Sequence, residues 1–199
     1  MIKAVIFDIG GVLEKDTDEF AFRRMSKVFN RDVNLVRKAV EDIIPDFQVG
    51  KITNKEFFKR LASELKLEIP IKDWINLWRD TYVEGRKPYK EVEKLLVNLR
   101  NSKYKLAALS NTESPNAKFN RRNGRYKHFN VVVLSCEVGL GKPNPEIYKL
   151  TMKKLGLKPQ ECVFIDDKGK YLIPAKKLGI NTILFRNSKQ LKKDLKQYL

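Results

Sequence analysis

Histidine is nearly missing from this chain: His128 is the only one in 199 residues. One imidazole cannot build a histidine-based metal site. His128 also stands before Phe129 at the edge of an apolar run, away from any partner a catalytic dyad needs. Cysteine is almost as scarce. Cys136 and Cys162 form no CxxC pair and have no histidine cluster beside them, so reduced, packed thiols are expected. Long apolar stretches are absent too, which excludes a membrane-spanning helix. The start carries no basic segment leading into a signal-type apolar region, because Ile2–Phe7 is short and runs straight into Asp8. The expectation is a cytoplasmic protein with no membrane partner, and no internal repeat or low-complexity segment is evident.

What the chain has in excess is positive charge. Forty-one Lys and Arg stand against 24 Asp and Glu, a formal net charge of +17. Such a balance invites a nucleic-acid reading. Yet there is no basic aromatic ladder, no zinc-finger spacing and no RNA-binding signature. The densest patches are Arg121-Arg122 with Arg125 and Lys127, and the tail Lys189, Lys192, Lys193 and Lys196. Elsewhere the lysines are spread through nearly every segment, as on solvated helix faces. A nucleic-acid partner is the lesser reading, and charge alone leaves it open. A positive field draws a small phosphorylated molecule equally well.

The apolar pattern divides the chain in two, and 42% hydrophobic content is enough for a real core. Residues 2–8 read as a strand, an apolar run stopped by Asp8 and the pair Gly10-Gly11. Residues 16–84 then show only helical spacing and predict about four helices. Thr53 to Glu56 has the form of a capping box. Pro45, Gly50 and Pro70 read as punctuation of this segment. After Pro88 helix and strand alternate. Helices are predicted over 89–101, 116–123, 145–155, 171–178 and 188–198, and strands over 104–109, 130–134, 161–165 and 181–185. That alternation implies right-handed crossovers and a parallel sheet with helices on both faces. The fold class is therefore α/β with an inserted all-helical block. The domains expected are a core from 1–13 and 89–199 and a helical cap from 14–88.

Four strand ends then bring polar groups to one edge: Asp8, Ser110-Asn111, Lys142 in the loop after the third strand, and Asp166-Asp167. Ligands bind beyond the carboxyl ends of strands in open α/β sheets. A carboxylate can attack phosphorus to give an acyl phosphate. A hydroxyl, an amide and an ammonium can hold phosphoryl oxygens and offset developing charge. A second carboxylate can share a hard cation such as Mg²⁺ with the first.

With these pieces in place the chain resembles the haloacid-dehalogenase-like hydrolase superfamily. The resemblance rests on FDIGGVL (Phe7 to Leu13), LSN (Leu109 to Asn111), GLGKPNPEIY (Gly139 to Tyr148) and VFIDD (Val163 to Asp167), and covers almost the whole chain. It implies a Rossmann-like core with a helical cap after the first motif, and a phosphatase acting on a small phosphorylated metabolite. By the same resemblance Asp8 would be the nucleophile and a Mg²⁺ ligand, Ser110 and Asn111 would bind the phosphoryl group, and Lys142 would neutralise charge. Asp167 and the backbone carbonyl of Gly10 would complete the metal ligands, and Asp166 would orient Lys142.

Two positions depart from the family pattern. Family phosphatases usually carry a second Asp where this chain has Gly10, serving as general acid and then base, although some branches of the family carry Asp-x-Gly as here. Glu14, Asp16 and Asp18 are the candidate substitutes, against a reading as solvated or capping acids. Tyr171 stands where many relatives have Asn or Asp, which puts the metal site in doubt. The alternatives are a catalytically impaired binding protein of the same fold, a dehalogenase, and a carbon–phosphorus hydrolase using a cap lysine such as Lys51, Lys55 or Lys59. Phe20, Phe47, Trp74, Trp78 and Tyr82 are candidates to line the pocket, although aromatics at helical spacing also build core. Substrate identity and oligomeric state are not readable from the chain.

Overall fold

The computed structural model of the protein describes all 199 residues. Five short strands form one parallel sheet: β1 (Ala4–Phe7), β2 (Lys105–Ser110), β3 (Val131–Leu134), β4 (Cys162–Asp166) and β5 (Asn181–Leu184), in the order β3-β2-β1-β4-β5. Buried parallel strands need apolar side chains on both faces, and all four residues of β1 are buried. Val5 and Phe7 enter one core with α5 (Lys90–Asn101) and α10 (Ser188–Leu195), while Ala4 and Ile6 enter the other with α8 (Pro145–Leu155) and α9 (Gly169–Lys177).

The order places β1 between β2 and β4. Phe7 pairs with Ala108 on one side and Ile165 on the other. The residues after these partners, Asp8, Leu109-Ser110 and Asp166, therefore emerge side by side. The chain runs outward from β1 to β3 and then crosses back to β4, so the reversal lies at the β1–β4 crevice, where such sheets bind ligands.

Between β1 and α5 the chain makes α1 (Asp18–Phe29), α2 (Val33–Gln48), α3 (Asn54–Leu65) and α4 (Ile71–Gly85). This block has its own core, in which Phe47, Phe57, Phe58 and Trp74 pack ring on ring. Asp32 caps α2 through Asn34 N and Leu35 N, and Thr53 Oγ1 caps α3 through Glu56 N. Pro45 corrects an expectation: it lies inside α2 and does not end it. The ring costs one backbone hydrogen bond, and the burial of Ile43 and Phe47 on either side holds the helix through it. After β2 come α6 (Ser114–Arg122), which starts ahead of its expected place because Pro115 suits a first turn, and a four-residue α7 (Ser135–Val138).

Two connectors join the helical block to the sheet. Lys15 N donates to Lys87 O and Tyr89 N to Leu13 O, both at 2.9 Å, so the outgoing and returning chains are paired. Glu14 lies at their centre, 1% exposed. Its carboxylate accepts from Tyr82 OH and from Arg125 Nη2, each at 2.8 Å, with Arg86 Nε at 3.7 Å. One carboxylate thus ties the first loop, α4 and the segment after α6. Removing one member of a buried ion pair leaves the others uncompensated, a cost of roughly 3–5 kcal/mol. Glu14→Ala is expected to lose about that much stability in urea unfolding followed by circular dichroism.

Candidate active site

The strand ends open into a cavity of about 1270 Å³ between the sheet edge and the helical block. Asp8, Ser110 and Lys142 form its floor and are 7%, 5% and 4% exposed. Lys142 Nζ lies 3.0 Å from Asp8 Oδ1 and 2.6 Å from Asp166 Oδ2. Asp8 Oδ1 also accepts from Ile9 N at 2.7 Å. Asp8 Oδ2 thus has no protein donor, and it is the oxygen left to meet a reactant or an ion.

Burial pushes the Asp8 carboxyl up to about 7, with Lys142 pulling it back and Asp166 pushing it further up. Burial works against the Lys142 charge as well, but the Asp8 and Asp166 carboxylates outweigh it and hold the ammonium above its ordinary range. The group therefore stands as a protonated lysine bridging two carboxyl groups.

Three contacts hold that lysine. Asp166, wholly buried, accepts Lys142 Nζ on Oδ2 and Lys168 N on Oδ1 at 2.8 Å. Tyr171 spreads its ring beneath the ammonium, with its centre 4.9 Å from Nζ, a cation–π contact. Asn111 clamps the Lys142 backbone: Nδ2 donates to Lys142 O and Oδ1 accepts from Lys142 N, both at 2.8 Å. Its side-chain amide positions Lys142, and Asn111 also lines the cavity with a second Nδ2 hydrogen left to donate. Ser110 keeps its place in the cavity wall.

The metal-ligand candidates also come together. Carboxylate oxygens of Asp8, Asp166 and Asp167 lie within 4.8 Å of one another. Asp167 Oδ1 is buried without any hydrogen-bond partner. Burial, and then the Asp166 charge, push Asp167 up to about 6. With Asp167 Oδ1 unpartnered and three carboxylates this close, a hard divalent cation fits the cluster. Both oxygens of Asp166 are occupied, so Asp8 and Asp167 are the side chains able to hold the ion. Tyr171, expected to trouble this site, sits over Lys142 instead.

The two glycines after Asp8 differ sharply. A Cβ on Gly11 would meet the Asp167 carboxylate at 2.3 Å, and Gly11 has φ +78°. Only glycine lets Asp167 approach this loop. A Cβ on Gly10 would meet nothing within 4 Å. Of the substitute acids, Glu14 is committed to Arg125 and Tyr82, while Asp16 and Asp18 pair with Lys168 Nζ at 3.0 and 3.5 Å. Burial raises the Asp18 carboxyl and its neighbour Asp16 raises it further.

Among the five aromatic candidates, Trp78 and Tyr82 line the cavity. Phe47 and Trp74 are core of the helical block, and Phe20 is 41% exposed. Lys51 reaches the cavity rim but pairs with Asp46 at 3.0 Å, and Lys55 and Lys59 do not reach it. The sequence reading missed Thr81, Glu113 and Asn116, buried polar residues of the same cavity.

The glycine contrast is testable. Gly11→Ala is expected to cost about 1–3 kcal/mol, from the left-handed backbone and the collision with Asp167. Gly10→Ala is expected to change stability by less than about 1 kcal/mol. Melting of the two variants by calorimetry measures both.

The profile of the haloacid dehalogenase-like hydrolases matches residues 2–179. Acyl-CoA dehydrogenase family member 10 of Mus musculus is 31% identical over 99% of this chain, which spans only 19% of that protein. The chain spans 13% of bifunctional epoxide hydrolase 2 of Sus scrofa, with 43% identity over 35% of its own length. D-ribitol-5-phosphate phosphatase of Bacteroides thetaiotaomicron is 26% identical over 98% of this chain and 97% of its own. A HAD family enzyme of the same organism, solved with magnesium and inorganic phosphate, has a TM-score of 0.76 at 26% identity, covering 94% of this chain and 96% of that one. The strand-end carboxylates, the buried lysine and the matched profile together place this chain in the haloacid dehalogenase-like hydrolase family.

Proposed function

We propose that the chain is a Mg²⁺-dependent phosphatase of small phosphorylated metabolites, working through phosphoryl transfer to Asp8. The observation that carries this reading is the Asp8–Lys142 pair: a buried carboxylate with one oxygen held by an ammonium at 3.0 Å and the other open to the cavity. The relative named as a D-ribitol-5-phosphate phosphatase and the neighbour solved with magnesium and phosphate support it.

In the proposed reaction Asp8 Oδ2 attacks phosphorus, the bond to the ester oxygen breaks, and the leaving oxygen keeps that electron pair and takes a proton from water. Lys142 offsets the charge that builds on the phosphoryl oxygens, and the Ser110 hydroxyl holds one of them. Water then attacks the phosphorus of the acyl phosphate, the bond from phosphorus to Asp8 Oδ2 breaks, and inorganic phosphate and a proton are released to solvent as Asp8 returns to carboxylate. A magnesium ion held by Asp8, Asp167 and the Gly10 carbonyl would supply Lewis acidity and offset the clustered negative charge. Residues 14–88 serve as a cap that excludes water and reads the leaving group.

Gly10 supplies no proton to the leaving alcohol. General acid help is worth roughly 10²–10⁴ in rate, so esters with good leaving groups are favoured. A dehalogenase of this family carries an aromatic residue near the nucleophile, where this chain has Gly10. A carbon–phosphorus hydrolase needs an unpaired cap lysine, and Lys51 is engaged with Asp46.

Phosphate release from p-nitrophenyl phosphate and a panel of sugar phosphates tests the reading. Turnover is expected with Mg²⁺, lost in EDTA, and abolished in Asp8→Asn. Gly10→Asp enters open space and is expected to raise turnover of alkyl phosphates by at least about tenfold, within the range of general acid help. No release from any ester under any condition would replace the phosphatase with a phosphoester-binding module.

A further inference from the structure

Away from the strand ends, one wall of the cavity is made by α4 and α6. On α4, Trp78, Thr81 and Tyr82 share one face by helical spacing, as do Glu113, Asn116 and Asn120 at the start of α6 and along it. Two rungs join these faces. Trp78 Nε1 donates to Glu113 Oε1 at 2.7 Å, and Asn120 Nδ2 donates to Tyr82 OH at 2.9 Å. Thr81 and Asn116 lie between the rungs, 3% and 7% exposed. Thr81 Oγ1 and Asn116 Oδ1 are buried there with no hydrogen-bond partner. All six residues line the cavity that Asp8 lines.

Native interiors pair their buried polar atoms, and an exception in a cavity wall points to a ligand. Asn116 Oδ1 accepts only, so its partner must donate. Thr81 Oγ1 both donates and accepts. In the first rung the buried Glu113 carboxylate takes the neutral side-chain donors of Trp78 and Asn116 on one oxygen. An acceptor, a donor–acceptor and a carboxylate in one wall match adjacent hydroxyl groups. An alkyl group there would leave Thr81 Oγ1 and Asn116 Oδ1 unmet, and a site built for hydroxyls rejects the analogue that lacks them.

We propose that this α4–α6 wall is a hydroxyl-reading subsite, and that the esters taken by the chain are phosphates of sugars or polyols. The proposal rests on the phosphatase reading for the phosphoryl end of the ester. Thr81 and Asn116 determine specificity at the other end and do not touch the reacting atoms.

Calorimetric titration of the Asp8→Asn protein, in magnesium buffer, with D-ribitol 5-phosphate and with pentyl phosphate is the test. The polyol ester is expected to bind at least about tenfold tighter, the factor that one well-made hydrogen bond supplies. Adding Thr81→Val or Asn116→Ala should bring the ratio of the two affinities towards one, and Thr81→Ser should keep it. Equal binding of the two esters, no binding of either, a ratio untouched by Thr81→Val, or tighter binding of phosphoethanolamine than of both overturns the subsite. Phosphate release by the unmodified protein is followed in parallel. A polyol preference without release refutes the phosphatase reading alone, and release without the preference refutes the subsite alone.

Discussion

One ammonium between two carboxylates organises this molecule. Lys142 has lost almost all contact with water, and so have Asp8 and Asp166 on either side of it. None of the three could stand there alone, because an unpaired buried charge costs several kcal/mol. Together they satisfy one another only if three separate chain segments meet within hydrogen-bond distance. That requirement explains the supporting contacts. Asn111 grips the lysine's backbone from the end of β2, Tyr171 lies under its head, and the Lys168 amide fixes the far oxygen of Asp166. The chemistry proposed for Asp8 uses the oxygen that this arrangement leaves over.

The sheet order makes that meeting cheap. With β1 flanked by β2 and β4, Asp8, Ser110 and Asp166 leave neighbouring strand ends, and only the Lys142 loop has to be brought in. The helical block is tied on by the same logic one layer out. Glu14 is buried with Arg125 and Tyr82, so the hinge of the block is also an ion pair in low dielectric. The acid nearest in sequence to the missing one is thereby used for architecture. The space beside Gly10 stays open, while Gly11 gives up its side chain to admit Asp167.

Most of this site was legible in the sequence because strand ends are legible. Apolar runs that stop at Asp8, Ser110 and Asp166 fix both the strand and the edge, and parallel topology does the rest. What escaped are contacts that no local pattern encodes. Asn111 reads as a ligand-binding amide, and nothing local shows that it also bonds the backbone of a residue 31 positions away. Glu14 looks like a spare acid, yet its partner Arg125 is 111 positions on. Thr81 and Asn116 are ordinary residues of amphipathic helices until α4 and α6 are laid face to face. Helical spacing likewise could not separate Trp78 and Tyr82, which see the cavity, from Phe47 and Trp74, which see only the core of the block. Pro45 misled because burial on both sides outweighs one lost backbone hydrogen bond.

The central claim is that Asp8 carries the phosphoryl group, and it has a direct test. The protein is mixed with p-nitrophenyl phosphate and Mg²⁺, quenched in acid, and reduced with borohydride, which converts an aspartyl phosphate to homoserine. Peptide mass spectrometry then locates the change. The account predicts homoserine at Asp8 and nowhere else, and none in the Asp8→Asn protein. Phosphate released with Asp8 unmodified, or modification at another carboxylate, would contradict it.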